Sequence, residues 1–276
     1  MSTQEQTLVN RHFEKVAPYW MQVYGRSDDL YSQIYQERLR IVLEFADRTG
    51  LPKAARALDI GCGAGYATVA LARRGYRVDA VDAVEAMTES TRHLAAQADL
   101  RQNVKVSRGD IHALPFPDKT FDLVVAVGVL PWLTSVEEAL NDISLILQPR
   151  GYLIATVDNR WGLRQLVEPL ANPLFAPLKG PTKTILRRFQ LLRTSPRPSR
   201  TSIVRFDSIL ADKGFDKLGG ITIGFGPFTF FRRQLLPNRL GIRVNDFLQA
   251  MAYRAVPGVA ACGAEYVFLA RKTIGG

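Results

Sequence analysis

Short, nearly continuous apolar runs along this chain are separated by longer segments in which apolar residues recur at helical spacing. Ala57–Ile60, Val78–Val81, Val104–Arg108, Phe121–Val127 and Tyr152–Val157 read as strands, and Tyr66–Arg74, Ala86–Ala98 and Glu137–Leu147 as the helices between them. Strands this apolar, alternating with helices, predict a mostly parallel sheet covered on both faces. Two helices precede this unit. The first carries Leu8, Val9, Phe13, Val16 and Ala17 and is expected to break at Pro18; the second covers Leu30–Ala46, with Ser27 or Asp28 as its N-cap. Gln148-Pro149-Arg150-Gly151 reads as a turn. Beyond Asp158 the prolines multiply, and short apolar pieces with basic residues, including Ile185–Leu192, read as amphipathic helices. Phe206–Lys213 returns to a helix and Asp216–Phe225 to a strand; Val244–Tyr253 is a helix within a further insertion, and Glu265–Arg271 is a last strand.

The order divides the chain into an N-terminal helical lid (1–50), a Rossmann-like core (51–158), a basic helical cap (159–205) and a segment completing the sheet (206–276), with a second cap at about 227–262. The densest chemistry lies in the first strand–helix–strand unit, Ala57-Leu58-Asp59-Ile60-Gly61-Cys62-Gly63-Ala64-Gly65 onward to Asp82. Gly61, Gly63 and Gly65 remove three Cβ atoms where the chain must turn sharply and a ligand must approach. The following helix points its N–H groups and positive dipole end at that loop. Asp82, at the tip of the second strand, is placed to accept from the two hydroxyls of a ribose. Tyr66 stands where a dinucleotide fingerprint wants a small residue, and Asp59 adds negative charge beside the loop. Both features suit a nucleoside carrying positive charge better than a diphosphate. The plainer alternative is a βαβ turn that binds nothing.

The stretch Leu58-Asp59-Ile60-Gly61-Cys62-Gly63-Ala64-Gly65 resembles motif I of the class I S-adenosylmethionine-dependent methyltransferases. Gly109-Asp110 through Leu114-Pro115-Phe116-Pro117-Asp118, and Leu147-Gln148-Pro149-Arg150-Gly151-Tyr152-Leu153, are similar to later motifs of that family. The resemblance is to the small-molecule and lipid branch that includes quinone-biosynthesis methyltransferases. It implies a seven-stranded, Rossmann-like sheet whose last strand is antiparallel, with S-adenosylmethionine as cofactor. Residues implied to hold the cofactor are Asp59, Gly61, Cys62, Gly63, Gly65, Asp82, Ala83, Asp110, Ile111 and Val127. Asp110 would accept from the adenine amino group, and the next N–H would meet adenine N1. Phe13 to Trp20 is similar to a helical segment that closes over the cofactor in such enzymes, so Tyr19 and Tyr24 join the set, with packing on the core as the alternative. Trp20, Trp132, Trp161 and Phe228 are the candidate substrate-pocket residues. Many relatives carry histidines after the fourth strand, whereas this chain has Leu130-Pro131-Trp132-Leu133. His112 is therefore the candidate base.

Composition narrows the partners. The net charge of +10 is uneven: residues 1–149 hold 16 Lys and Arg against 19 Asp and Glu, and residues 150–276 hold 20 against 7. A basic half suits an acidic substrate group, an anionic membrane surface reached through 163–193, or RNA. RNA is disfavoured because no RNA-binding module and no Asn-Pro-Pro-Tyr-like motif is present. Two cysteines make no disulfide framework, His12, His93 and His112 lack zinc-site spacing, and no apolar run reaches the length of a membrane span. The expectation is a cytoplasmic enzyme that binds no metal, with association to a membrane surface as the alternative location. It would O-methylate a hydroxyl on a small apolar or glycosylated metabolite: a polyketide, an isoprenoid or a lipid-linked sugar. The alternatives are an RNA methyltransferase and a scaffold that keeps the fold without transferring a methyl group.

Overall fold

The structure, a computed structural model, describes residues 3–24, 29–175, 196 and 198–273. Its centre is a sheet of β1 (Arg56–Ile60), β2 (Arg77–Asp82), β3 (Val104–Arg108), β4 (Phe121–Ala126), β5 (Leu147–Asn159), β6 (Arg200–Thr201), β7 (Phe215–Ile223) and β10 (Glu265–Lys272). A small hairpin, β8 (Thr229–Phe230) with β9 (Arg233–Gln234), stands apart. The order β3-β2-β1-β4-β5-β10-β7 is parallel up to β5, and β10 runs antiparallel to both of its neighbours. This is the expected Rossmann-like arrangement with its last strand inserted antiparallel. The two-residue β6 extends the sheet locally by pairing parallel to the end of β5.

The strands are apolar on both faces because helices cover both. On one side Ile34, Ile41, Val42 and Phe45 of α2 (Leu30–Arg48), with Val69 and Leu71 of α3 (Tyr66–Arg73), pack on Ala57, Leu123, Ile154 and Val267. α4 (Glu85–Gln97) joins this layer through Ala95. On the other side α5 (Val136–Ile146) and α7 (Ile203–Asp212) bury Leu140, Ile143, Phe206 and Leu210 against Phe121, Val124, Leu153 and Phe268. Burying a side chain of this size contributes about 1.5–3 kcal/mol, so the two clusters dominate the stability of the fold. α6 (Leu163–Val167) and α8 (Asn238–Tyr253) complete the described helices. Buried amides fix α8 to β7: Asn245 Oδ1 accepts from the Phe225 N–H at 3.0 Å, and Gln249 Nε2 donates to the Thr222 carbonyl at 3.1 Å.

Several local expectations change. α1 (Thr3–Val23) runs through Pro18 rather than breaking there. Contacts on both sides of the proline, from Phe13 and Ala17 and from Trp20 and Met21, hold the helix on Val84 and Met87. α2 is capped by Asp29, whose Oδ2 accepts from the Ser32 N–H at 3.1 Å; Ser27 and Asp28 lie outside the described residues. The N-terminal segment also divides by role. α2 is a layer of the core that also sends Tyr35 and Arg38 to the cavity, and α1 covers the cavity's mouth through Val9, Phe13 and Trp20. The turn at Gln148–Gly151 is absorbed into a thirteen-residue β5, with a register shift against β4 and a positive φ of 65° at Arg150. α8 begins at Asn238, earlier than its apolar spacing suggests. Much of the proposed cap, 176–195 with the Ile185–Leu192 helix, lies outside the described residues.

Candidate functional site

The C-terminal ends of the parallel strands open into a cavity of about 490 Å³. It lies where ligands sit in open α/β sheets, on either side of the point at which the strand order reverses. The loop after β1 forms one wall. The Gly61 and Cys62 N–H groups both donate to the Val81 carbonyl, at 2.7 and 3.1 Å, and this hooks the loop over the end of β2. Gly61, Gly63 and Gly65 all have positive φ. A Cβ on Gly61 would overlap the Val129 side chain, and one on Gly65 would lie 2.8 Å from the Thr91 Cα. A Cβ on Gly63 would meet nothing closer than the Gly61 carbonyl oxygen at 3.9 Å. The first and third glycines are therefore required by packing, whereas the second keeps the loop open.

Asp82 is braced by that loop. Its Oδ2 accepts from the Gly63 N–H and its Oδ1 from the Val84 N–H, each at 2.9 Å. Burial raises its pKa, and the backbone donors partly offset the rise. Asp59 is 2% exposed, and its Oδ2 accepts from the Thr68 hydroxyl at 2.6 Å. Burial first, with the charge of Asp82 adding, pushes its carboxyl up to about 7. A carboxylate held this way favours a ligand that brings positive charge. Cys62 lines the same wall, with its Sγ 3.4 Å from the Thr91 Oγ1, and burial raises its thiol well above the ordinary range. It fills space and is not set up as a nucleophile.

The Asp59 shift predicts a pH effect. A carboxyl raised on folding from 3.8 to about 7 costs stability as pH climbs from about 4 to 7, levelling at up to ~4 kcal/mol. Without ligand, Asp59→Asn is therefore expected to unfold at higher denaturant than wild type at pH 8, with the gap narrowed by more than half at pH 5. Urea titrations at the two pH values measure it, and a gap that does not change with pH would contradict the buried charge.

α1 forms the roof. Tyr66 turns its ring toward the lid, stacking on Tyr24 at 4.4 Å, and its hydroxyl donates to the Met21 carbonyl at 3.0 Å. Trp132 lies beneath α1, stacked with His12 at 5.9 Å and edge-to-face with Phe13 at 5.0 Å. Of the residues expected from sequence, Asp59, Gly61, Cys62, Gly63, Asp82, Ala83, Asp110, Ile111, Val127, Tyr24, Trp20 and Trp132 line the cavity. Gly65 shapes the loop from behind. Tyr19 and Trp161 are each 40% exposed and stand off the cavity wall, as does Phe228. Tyr19 lies on the outer side of α1, Trp161 follows the end of β5, and Phe228 precedes the small hairpin. His112 belongs to the 3-10 turn Ile111–Ala113, and its side chain lies outside the described residues.

Sequence reasoning missed the far end of the cavity, where α2, α6, β5, β6 and β10 contribute Arg38, Arg164, Asp158, Arg200 and Glu265. Arg38 is 6% exposed. Its Nη1 donates to Glu265 at 3.1 Å, its Nη2 donates to the Tyr24 hydroxyl at 3.2 Å, and its guanidinium lies 4.6 Å from the Tyr35 ring centre. Burial opposes its charge, but Glu265, Tyr24 and Tyr35 more than offset that and keep it cationic. An arginine at helical spacing from the apolar Ile34, Ile41 and Phe45 was the available signal; its partner, 227 residues away, was not visible. Among the described residues no group of three or more His, Cys, Asp or Glu comes together as a metal site.

Fold and site together define a Rossmann-like domain with a glycine loop, Asp59 and Asp82 on one wall of a cavity that α1 covers. Residues 58–155 match the family described as "Methyltransferase domain". The chain is 33% identical over 133 residues to a malonyl-[acyl-carrier protein] O-methyltransferase of Halorhodospira halophila, covering 46% of this chain and 44% of that protein. It is 35% identical over 134 residues to a trans-aconitate 2-methyltransferase of Variovorax paradoxus, covering 48% and 49%. The chain thus spans about half the length of these curated relatives. Among solved structures, magnesium protoporphyrin IX methyltransferase from Synechocystis PCC 6803 with bound S-adenosylhomocysteine superposes with a TM-score of 0.60 at 17% identity, covering 97% of this chain and all of that one. The 4+2 cyclase SpnF superposes with a TM-score of 0.62 at 20% identity, covering 97% and 96%. A cyclase and a methyltransferase share this fold, so the reaction must be argued from the site.

Proposed function

We propose that the chain is an S-adenosylmethionine-dependent methyltransferase that O-methylates a hydroxyl on a small, partly apolar or glycosylated metabolite. The observation that carries the reading is the Asp82 carboxylate, braced by the Gly63 N–H of an open glycine loop and facing a cavity that also contains buried Asp59. The residues present suit the donor. The loop leaves space above Gly63, Asp82 would take the ribose hydroxyls, Asp110 and the Ile111 N–H the adenine, and Asp59 the positive charge. When bound, the donor supplies a methyl carbon made electrophilic by its sulfonium. The protein's part is to hold the acceptor in line and exclude water, which a lid pinned by Tyr66 and Trp132 supports.

The cavity combines apolar walls, Phe13, Trp20, Trp132 and Leu133, with three arginines, Arg38, Arg164 and Arg200. That pairing suits an aromatic or aliphatic body carrying a polar or acidic group. The cavity volume falls within the range of small-molecule sites, roughly 300–1,000 Å³. Peripheral lipid contact through 163–193 belongs to the same proposal; in its described part Leu170 and Leu174 are 48% and 66% exposed. No helix among the described residues is long and apolar enough to cross a membrane.

The test is release of S-adenosylhomocysteine from S-adenosylmethionine with hydroxylated aromatic acids, quinols, polyketides, lipid-linked sugars and bulk tRNA as acceptors. Turnover of a hydroxylated small molecule is expected. Methylation of tRNA alone would overturn the substrate class.

A further inference from the structure

Asp158, Glu265 and Arg200 stand side by side at the ends of three neighbouring strands. Asp158 is the register partner of Glu265 on β10 and of Arg200 on β6. Register partners project to the same face of a sheet, and all three line the cavity. Three strand spacings, about 14 Å, separate β2 from β5, so this row lies at the opposite end from Asp82, where an acceptor would sit. Glu265 is engaged by Arg38 at 3.1 Å. Among the described residues that line this end, Asp158 is the other carboxylate, and no step of cofactor binding uses it.

We propose that Asp158 is the group that takes the proton from the acceptor hydroxyl, with Glu265, fixed by Arg38, as its positioning residue. This rests on the methyltransferase reading above. The hydroxyl proton passes to a carboxylate oxygen of Asp158. The hydroxyl oxygen forms its bond to the methyl carbon as the carbon–sulfur bond breaks, and that electron pair stays on sulfur. Asp158 then releases its proton to water, so the substrate class is an alcohol or phenol that needs deprotonation.

The surroundings tune Asp158 for this work. Burial first, then the charge of Glu265, raise its carboxyl to about 7, against the pull of Arg200, Arg38 and Arg164. These groups come from β10, β6, α2 and α6; Tyr24 and Tyr35 reach the same end through Arg38. A base with a pKa near the working pH is both deprotonated enough and basic enough to act.

The test combines carboxyl-carbon NMR of the full chain, carrying carbon-13 in its aspartates and saturated with S-adenosylhomocysteine, with pH-dependent turnover of the acceptor found by the screen. One resonance, absent in Asp158→Asn, is expected to titrate near pH 7, to move down in Glu265→Gln and to move up in Arg200→Gln. Asp158→Asn is expected to bind S-adenosylhomocysteine as wild type does, to lose about 100-fold in kcat and to lose the acidic limb of the pH profile. Its loss should shrink for a nitrophenol acceptor already ionised at the assay pH. An Asp158 carboxyl titrating near pH 4, or a variant with unchanged kcat and profile, overturns the proposal while leaving the methyltransferase reading in place. Failure of wild type to bind S-adenosylhomocysteine would instead remove that reading.

Discussion

Asp82→Ala is expected to weaken S-adenosylhomocysteine binding by at least about 100-fold while the sheet stays folded. Two charge-assisted hydrogen bonds to ribose hydroxyls would be lost, each contributing about 1.5–3 kcal/mol, and a 1.4 kcal/mol loss is already tenfold in affinity. The Gly63 and Val84 N–H groups that Asp82 now satisfies border the cavity, where water can replace the carboxylate. Calorimetric titration gives the affinity, and far-ultraviolet circular dichroism checks the fold. Unchanged affinity in a folded variant would refute the placement of the ribose.

The loop glycines should separate just as sharply. In Gly65→Ala the new Cβ would come 2.8 Å from the Thr91 Cα and 2.9 Å from its Oγ1, at a φ of 90°. The Cα is backbone of α4, so the clash cannot be relieved by a rotamer change. Left-handed strain of about 1–2 kcal/mol adds to the overlap, and a total loss of about 3 kcal/mol or more is expected. That is a large share of the 5–15 kcal/mol by which domains are stable. Gly63→Ala should cost only the strain, because its Cβ meets nothing within 3.9 Å, yet it fills the space a ligand needs. Urea unfolding and ligand titration of both variants test this: the Gly65 variant should fail in the first, and the Gly63 variant in the second only. The reverse pattern would contradict the assignment of their roles.

The parts of this fold that local pattern determines were legible in the sequence. Nearly continuous apolar runs gave β1, β2 and β4 to within a residue at their ends, because a strand buried on both faces needs apolar residues throughout; the edge strand β3 was legible from the alternation of Val104 and Val106 with polar residues. The glycine loop and Asp82 were legible because their spacing is fixed by one βαβ unit. Tertiary contacts decided what was misread. Pro18 looked like a break, but packing on both of its sides carries α1 through. Tyr66 read as an obstacle to a diphosphate, and nothing in the structure contradicts that; the bond from its hydroxyl to the Met21 carbonyl was not legible. Trp161 looked like a pocket residue by type alone, and the structure leaves it at the surface. The far end of the cavity was illegible for the same reason, since Arg38, Asp158, Arg200 and Glu265 come from four separate elements.

The central claim is that the glycine loop, Asp59, Asp82 and Asp110 hold a sulfur nucleoside rather than a dinucleotide. Isothermal titration of the full chain with S-adenosylhomocysteine and with NAD tests it most directly. Micromolar affinity for the first and no heat from the second is the predicted result. Binding of NAD, or of neither, would contradict it.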